Sequence, residues 1–331
     1  MNKASIGLCI VGCGGYARMV LDDIYDMKDF VDLYFASRDL DKARQYCEDY
    51  DGVDYFDSYE QAASDSRVQA LYIFTPHDLH LESVQLAARN AKHILLEKPI
   101  ARTISEATEI IQIAEASNVN FMIAENFRFL PMIDKCKELI EAGVIGSLKV
   151  VDAQHQGLDK AIEWRTEEAR NGGGRLIDGG IHFVDALLNI GGIPEKLYAV
   201  EEKHKIIPNH EGEEGVSLTA HLPNSVVGMM RYAGGSPIIE HRNLLQITGT
   251  KGMLTFDPTG SEMELDTPSG KEIIFTDSPS RGVRQMIAEF CNSINENREP
   301  IMSGQEAIND LAVVLAAYQS ISDGEVVELN L

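Results

Sequence analysis

The sequence lacks the features that a membrane protein, an exported protein or a nucleic-acid binder would show. No apolar run reaches the roughly 18 uncharged residues that a membrane-spanning helix needs, and no basic start leads into an apolar segment and a small-residue cleavage site. Lys and Arg total 29 against 52 Asp and Glu, and the formal charge of -23 repels phosphate backbones and anionic membrane surfaces. We therefore expect a cytoplasmic protein that binds neither nucleic acid nor membranes.

Cysteine is also scarce and scattered. The five thiols are odd in number and include no C-x-x-C pair, so neither a disulfide framework nor a zinc knuckle is indicated. His155, His221 and His241 have no carboxylate or Cys partner at metal-ligand spacing, and the sequence contains no G-x-S-x-G nucleophile motif. The sequence therefore predicts reduced thiols and no metal site.

The first 125 residues have the pattern of a doubly wound α/β domain. The apolar runs SIGLCIVG, DLYFAS, ALYIFTP, HILLE and NFMIAE alternate with segments of helical period. Because these runs are apolar throughout, they indicate parallel strands buried on both faces between helix layers. A chain of 331 residues has room for a second domain beyond this point.

Residues 126–331 have a different pattern. A helix is predicted after Pro131, and from about Ser147 the segments alternate with period two, as in GVSLTAHLPN. Such alternation predicts a mostly antiparallel sheet with one covered face and one more exposed face. Helical patterns around Met286 and Leu311 end the chain.

The segment GCGGYA directly follows the first predicted strand. Gly12, Gly14 and Ala17 occupy the special positions of G-x-G-x-x-G/A, which allow a tight turn, close approach to a pyrophosphate and close helix packing. Gly15 and Tyr16 complete the loop, at a helix N-terminus that favours an anion. The pattern predicts a dinucleotide site, against the alternative of an ordinary glycine-rich turn.

The second predicted strand ends in FASRD, close to where NAD enzymes place a carboxylate for the ribose 2'-hydroxyl. Ser37 and Arg38 come first instead, and a hydroxyl beside a guanidinium suits a 2'-phosphate. We therefore expect NADP(H) in preference to NAD(H). Asp39 is the argument for NAD(H), since it lies just after the position that an NAD enzyme would use.

The fifth predicted strand ends in LLEKPI, where Lys98 follows the strand directly. In a doubly wound sheet the carboxyl ends of the strands line the ligand crevice. A lysine there can hydrogen-bond a substrate oxygen and stabilise the alkoxide that develops as hydride leaves carbon. The competing interpretation is a solvated surface charge.

The stretch RLIDGGIH places Asp178 and His182 four residues apart, after the glycines at 172–174. If the segment is helical, both side chains lie on one face near its N-terminus, where the carboxylate can orient the imidazole and the imidazole can take a hydroxyl proton. The glycines would let the loop close over a flat ring or a sugar. The alternative is an ordinary helix start, with Asp178 as the N-cap and His182 as an interior residue.

Taken together, these motifs resemble the glucose-fructose oxidoreductase, inositol dehydrogenase and MocA family of NAD(P)-dependent oxidoreductases. The resemblance runs from about Ile6 to Val327 and includes FTPHDLH at 74–80, ENFRFLP at 125–131, GGGRLIDGGIHFVD at 172–185 and ITGTKGMLTF at 247–256. It implies a Rossmann NAD(P)-binding domain at 1–125. It also implies a substrate-binding and oligomerisation domain at 126–331, an α/β domain whose large open sheet makes dimer or tetramer contacts.

The resemblance further implies roles for individual residues. Lys98, Asp178 and His182 would form the catalytic set, with His182 as the proton acceptor, Lys98 polarising the oxygen and Asp178 orienting both. The assignment of Lys98 as the acceptor stays open, since relatives are credited with either. Additional cofactor contacts are implied at Thr75, Pro76, His80, Glu97 and Asn126, and substrate contacts at Arg128, Trp164 and Arg165.

The expected activity is hydride transfer between a nicotinamide, preferably that of NADP(H), and a secondary alcohol or hemiacetal carbon of a sugar, polyol or cyclitol. Two alternatives are a dinucleotide-binding regulator without catalysis and a reductase of a non-sugar carbonyl or imine, of the dihydrodiol or tetrapyrrole type. The presence of all three catalytic residues favours an enzyme. We expect it to form a homodimer or homotetramer.

Overall fold

The computed structural model describes residues 5–161, 163–238, 240–275, 278–329 and 331. The chain divides into two compact units. One unit holds the chain up to Glu125 together with Val283–Ile308, and the other holds Asn126–Gly282 together with the chain from Asn309 onward. The two units are therefore interleaved in sequence.

The described residues form the following elements. The strands are β1 Ile6–Val11, β2 Val31–Ala36, β3 Asp54–Phe56, β4 Ala70–Ile73, β5 His93–Glu97, β6 Phe121–Ala124, β7 Leu148–Gln156, β8 Lys196–Glu201, β9 Gly215–Leu222, β10 Val226–Ala233, β11 Arg242–Gly249, β12 Met253–Phe256, β13 Glu262–Thr267, β14 Gly270–Phe275 and β15 Val327–Glu328. The α-helices are α1 Gly15–Ile24, α2 Leu40–Asp49, α3 Tyr59–Ser64, α4 His80–Arg89, α5 Ile104–Ser117, α6 Pro131–Glu141, α7 Glu168–Asn171, α8 Ile181–Gly191, α9 Val283–Glu296 and α10 Gly304–Asp323. Within the described chain, no helix combines the length and the apolar character needed to cross a membrane.

The first unit carries a parallel sheet of six described strands in the order β3-β2-β1-β4-β5-β6. Val11 lies opposite both Ala36 and Ile73, and Ile73 lies opposite Leu96, so β1, β2, β4 and β5 end at one edge of the sheet. The strand order reverses between β1 and β4, which is where such sheets bind ligands. The predicted Rossmann sheet is confirmed, although β3 was missed because three residues are too few to show a period.

Val283–Ile308 joins the first unit although it follows most of the second in sequence. Its helix α9 packs against α1. The Ile123 N–H donates to the Met302 carbonyl at 3.0 Å, and the Asn120 side chain donates to the Arg298 carbonyl at 2.7 Å. The domain boundary predicted from the sequence, at residue 125, places this segment in the second domain. The segment lies in the first unit because it packs on α1 and binds backbone and side-chain groups at and beside β6.

The second unit carries the other sheet, with nine described strands in the order β14-β13-β12-β11-β7-β10-β9-β8-β15. Among these strands β7 and β10 pair in parallel, and the other neighbours pair antiparallel. Helix α8 packs against β7 and β10 on one face. On the opposite face Tyr198, Val200, Val227 and Met229 are exposed. The mostly antiparallel sheet with one covered and one open face is therefore confirmed.

Candidate active site

The loop between β1 and α1 has the backbone that its glycines predict. Gly12 adopts a φ of +103°, which favours glycine, and its N–H donates to the Ala36 carbonyl at 3.0 Å. Gly14 is the N-cap of α1, and a Cβ added at Gly14 or Gly15 would meet no atom within 4 Å. Ala17 is buried. Open space beside glycine backbone at a helix N-terminus fits the pyrophosphate of a dinucleotide.

Ser37 and Asp39, which follow β2, make hydrogen bonds to backbone groups close to them in the sequence. The Ser37 hydroxyl accepts the Asp39 N–H at 3.1 Å, and the Asp39 carboxylate caps α2 by accepting the Lys42 N–H at 3.3 Å. Arg38 is exposed. It lies near Tyr59, whose pKa is raised by burial and lowered in part by the Arg38 guanidinium. The carboxylate that an NAD enzyme would direct to a ribose hydroxyl thus serves here as a helix cap, whereas the Arg38 side chain is exposed beside Tyr59.

His80 joins the loops that follow β4 and β5. Its Nδ1 lies 3.0 Å from the Pro99 carbonyl oxygen, and its Nε2 lies 3.1 Å from that of Thr75. The ring is fully buried, and desolvation lowers the pKa of His80 to about 4, although hydrogen bonds with backbone groups of Ile100, Thr75 and Pro99 oppose this shift. Thr75, with Pro76 next to it, and Lys98, next to Pro99, are therefore held together by one buried side chain. The structure thus gives His80 a role in joining these two loops.

Lys98 follows β5 at the same edge of the sheet as the glycine loop. It is mostly buried, at 8% exposure, and its Nζ lies 6.0 Å from the centre of the Tyr16 ring. The preceding Glu97 accepts a hydrogen bond from the buried Tyr72 hydroxyl at 2.8 Å. Lys98 is thus held by the fold and is not the solvated surface charge that was the alternative interpretation.

In the second unit, the segment that holds Asp178 and His182 is helical but begins with a wider turn. Leu176–Gly180 forms a π-helical turn that leads directly into α8. Asp178 lies inside this turn and is buried, and the N-cap position of α8 is taken by Gly180. The alternative that made Asp178 an N-cap is therefore wrong. Turns of this kind occur often at functional sites.

Asp178 and His182 have different neighbours in this unit. The Asp178 carboxylate pairs with the buried guanidinium of Arg175 and lies 3.4 Å from Arg165 Nε. The His182 ring is half-buried and stacks on Phe127, with the ring centres 4.7 Å apart and an angle of 17° between the planes. Stacking on Phe127 fixes the plane of the His182 imidazole. Arg175 and Arg165 hold the carboxylate of Asp178, one helical turn earlier in the chain.

The remaining predicted site residues of this unit fall into two groups. Arg165 joins the site, since it contacts Asp178 and its guanidinium lies 4.4 Å from the centre of the Trp164 ring. Arg128 is instead paired with the buried carboxylate of Asp185, and Asn126 donates to the Arg281 carbonyl at 2.5 Å. These two contacts give Arg128 and Asn126 structural partners in the unit.

Sequence reasoning missed a buried cluster that surrounds Asp178. Arg175 also donates to Asp159 at 2.8 Å, and the Tyr232 hydroxyl donates to the same carboxylate at 2.6 Å. Although burial raises it, hydrogen bonds from His155 and Tyr232 and the charge of Arg175 lower the pKa of Asp159 to about 2. Arg175 stands inside the quoted RLIDGGIH motif and could have been found there. Tyr232 gives no local signal, since it is one of the alternating residues of β10.

His155, Asp159 and His241 place possible ligand atoms within 4.8 Å of one another. The Oδ1 of Asp159 lies 3.5 Å from His155 Nε2 and 3.9 Å from His241 Nδ1. The sequence argument that His155 and His241 have no carboxylate partner at metal-ligand spacing was wrong, because Asp159 follows His155 by four residues and lies near both rings in the fold. The carboxylate is already neutralised by the guanidinium on its other oxygen. The group is therefore better suited to hydrogen-bonding a neutral ligand than to holding a cation.

The glycines at 172–174 have a different use from the one expected. A Cβ added at Gly173 would lie 2.5 Å from the Tyr318 hydroxyl, and one added at Gly174 would lie 2.1 Å from the Glu213 carbonyl oxygen. Side chains are therefore excluded here by the protein's own Glu213 and Tyr318. The expectation of a loop that closes over a ligand does not account for this packing.

Comparison with known proteins covers nearly the whole chain. Residues 6–125 match the model of an oxidoreductase family described as its NAD-binding Rossmann fold, and residues 137–329 match the model described as its C-terminal alpha/beta domain. The trans-1,2-dihydrobenzene-1,2-diol dehydrogenase of Bos taurus is 31% identical over 233 residues, which are 70% of this chain and 67% of the relative. The enzyme of that name in Xenopus tropicalis is 29% identical over 283 residues, 81% of this chain and 83% of the relative.

Solved structures agree on the fold. The aldose-aldose oxidoreductase of Caulobacter crescentus, complexed with glycerol, has a TM-score of 0.89 at 24% identity and covers 98% of this chain and 100% of its own. Levoglucosan dehydrogenase, complexed with NADH and levoglucosan, has a TM-score of 0.89 at 20% identity and covers 99% of this chain and 100% of its own. At these identities the likeness establishes the architecture.

Proposed function

The chain belongs to the glucose-fructose oxidoreductase, inositol dehydrogenase and MocA family of oxidoreductases, and on that basis we propose that it moves hydride between NADP(H) and a secondary alcohol or hemiacetal carbon of a sugar, polyol or cyclitol. Family membership confirms the prediction of an oxidoreductase with an NAD-binding Rossmann unit. The substrate class and the preference for NADP(H) are the proposal. The nicotinamide supplies the hydride donor or acceptor.

The proposal rests on the residues that lie together at one edge of the parallel sheet in the first unit. The glycine loop, Arg38, Thr75 and Lys98 all follow strands that end at this edge. A dinucleotide held by the loop would lie along the strand ends that include Lys98. The loop is open where a pyrophosphate needs room, because a Cβ at Gly14 or Gly15 would meet no atom within 4 Å.

We assign the proton chemistry to Lys98 and His182. As the alcohol is oxidised, its hydroxyl proton passes to the His182 imidazole, and the Lys98 ammonium stabilises the negative charge that develops on the oxygen. Asp178, held by Arg175 and Arg165, presents a carboxylate to orient the reacting groups. In the direction of reduction the same groups return the proton. Phe127 supports this role of His182, since ring stacking fixes the imidazole plane.

The cofactor preference rests on the residues after β2. Asp39 caps α2, and the exposed guanidinium of Arg38 suits a 2'-phosphate, which it can bind through two parallel hydrogen bonds. The matched control for Arg38 is Arg44, an exposed arginine of α2 that pairs with Asp41. We expect Arg38→Ala to weaken NADPH binding far more than NADH binding, and Arg44→Ala to leave both affinities as in the parent protein.

A second substrate class follows from the relatives. The dehydrogenases of Bos taurus and Xenopus tropicalis act, by name, on a trans-dihydrodiol. Such a diol shares with a sugar the secondary alcohol next to another hydroxyl, but it carries an apolar ring. Trp164, which lies against the Arg165 guanidinium, would suit contact with either ring.

We also propose that the protein self-associates and acts in the cytoplasm. Tyr198, Val200, Val227 and Met229 are large apolar side chains exposed on the open face of the large sheet, and a second copy packed on this face would cover them. The five cysteines are free thiols in the structure, as a reducing compartment would keep them. Sedimentation at several protein concentrations tests the association.

The deciding experiment is fluorescence titration with NADPH and NADH, followed by absorbance assays with aldoses, inositols, keto-sugars and trans-dihydrodiols. Tight NADPH binding with turnover of one sugar or polyol class is the expected result. Turnover of dihydrodiols alone would select the second substrate class. Binding of a nucleotide without turnover of any substrate would favour the alternative of a dinucleotide-binding regulator. Failure to bind either nucleotide would refute the proposal.

A further inference from the structure

The first backbone N–H groups of a helix have no acceptor within the helix itself. In the second unit this applies to the segment that opens the π-helical turn and carries Asp178. The capping position, Arg175, offers no side-chain hydrogen bond of this kind. The acceptors come from two residues far away in sequence, Glu213 and Tyr318.

Four successive N–H groups are satisfied in this way. The N–H groups of Gly174 and Ile177 each donate to the Tyr318 hydroxyl oxygen at 3.2 Å. The N–H of Arg175 donates to Glu213 Oε2 at 2.8 Å, and that of Leu176 donates to Glu213 Oε1 at 2.9 Å. The capping contacts therefore reach every residue from 174 to 177.

The two capping side chains are also bound to each other. The Tyr318 hydroxyl donates to Glu213 Oε1 at 2.7 Å, so its oxygen is left to accept from the two N–H groups. A second backbone contact joins the Arg175 N–H to the Glu213 carbonyl at 2.9 Å. The absence of side chains at Gly173 and Gly174 is what allows this close approach.

We propose that Glu213 and Tyr318 are positioning residues that fix the turn carrying Asp178 and, through it, the orientation of His182. The proposal rests on the function proposed for Asp178 and His182, and it adds the groups that hold them. Neither side chain is assigned a contact with substrate or cofactor. Their effect passes through the backbone, since the turn that they cap continues without a break into α8.

The second unit provides a matched control. Glu214, adjacent to Glu213, is also buried and also accepts two backbone N–H groups, those of Ile206 at 2.7 Å and Ile207 at 2.8 Å. These groups belong to a different loop. Glu214→Gln therefore removes a buried capping carboxylate without touching the turn at 174–177.

The experiment compares Glu213→Gln, Tyr318→Phe and Glu214→Gln in the full chain. Hydrogen exchange is measured for the backbone amides at 174–182, and the titration of the His182 imidazole is followed by NMR with labelled histidine. We expect Glu213→Gln and Tyr318→Phe each to speed exchange at 174–177 at least tenfold and to shift the His182 titration, while Glu214→Gln leaves both unchanged. Tyr318→Phe removes a single oxygen and keeps the ring, so it tests the proposal even if Glu213→Gln does not fold.

Kinetics supply the functional readout. In the positioning variants kcat should fall about 10- to 100-fold with a smaller change in KM, because misplaced catalytic groups cost rate more than binding. Wild-type exchange and an unshifted His182 titration in both variants would overturn the proposal, and so would faster exchange with unchanged titration and kcat. If the parent protein turns over no substrate, the proposed function fails, and the exchange and titration data still judge the positioning role.

Discussion

Burial raises the pKa of Glu213 to about 7, against an ordinary value of 4.5, even though Tyr318 and two backbone N–H groups favour the ionised form. A carboxyl group whose pKa is higher in the folded state binds its proton more tightly when folded than when unfolded. The free energy of unfolding must therefore fall as the pH rises from about 4.5 to about 7. A shift of roughly 2.5 units corresponds to about 3 kcal/mol.

The perturbation is Glu213→Gln, which removes this titration while keeping the size of the side chain. Other groups titrate nearby in pH and with the opposite sign, since desolvation lowers the pKa of His80 to about 4. They are present in both proteins, so the quantity to measure is the difference between the parent and variant unfolding free energies. We expect that difference to fall by about 3 kcal/mol between pH 4.5 and pH 7.

The assay is urea unfolding at constant ionic strength, followed by tryptophan fluorescence. The chain has one tryptophan, Trp164, and it lies in the same unit as Glu213, so the signal reports on the relevant part of the protein. A difference that stays constant to within about 1 kcal/mol over this range, or that rises with pH, would refute the reasoning.

Further outcomes follow from the sites. Lys98→Ala and His182→Ala should each lower turnover about a hundredfold or more while NADPH still binds, as steady-state rates and fluorescence titration would show; near-normal turnover in both would remove them from the catalytic set. Arg38→Ala should raise the Kd for NADPH with little change for NADH, and an equal loss for both nucleotides would mean that the guanidinium does not bind a 2'-phosphate. Asp159→Asn should destabilise the second unit by about 1–3 kcal/mol, measured by urea unfolding, because Arg175 and Tyr232 lose a charged acceptor while Arg175 keeps Asp178; a loss below about 0.5 kcal/mol would show that the Asp159 carboxylate contributes little.

The parts of the structure that follow from local pattern were accessible in the sequence. The parallel strands of the first unit, the alternation of β9 and the loop at Gly12 all result from burial period and backbone preference, which neighbouring residues specify. Lys98 could be located because a strand end in a doubly wound sheet has a known place. A helix carrying His182 could be considered from the sequence because the apolar spacing that indicates it is local.

What the sequence did not reveal depends on residues that meet only in the fold. Glu213 and Tyr318 lie 105 positions apart, and each reads as an ordinary residue in its own segment. Asp159 is part of the buried cluster because it accepts hydrogen bonds from Arg175 and Tyr232, which lie far from it in the sequence. The glycines before Asp178 were correctly identified as requiring close approach, but a sequence cannot say whether the approaching group is a ligand or the protein itself.

The return of Val283–Ile308 to the first unit has a consequence for biosynthesis. Helix α9 packs on α1, and Met302 and Arg298 bind backbone and side-chain groups at and beside β6. The dinucleotide-binding unit therefore lacks these partners while the ribosome is still making the second unit. Domains made from one continuous segment can mature in order from the N-terminus during synthesis. This protein must instead hold an incomplete first unit until nearly its whole length has been translated, and a chain that terminates before residue 283 would leave α1 without its packing partner.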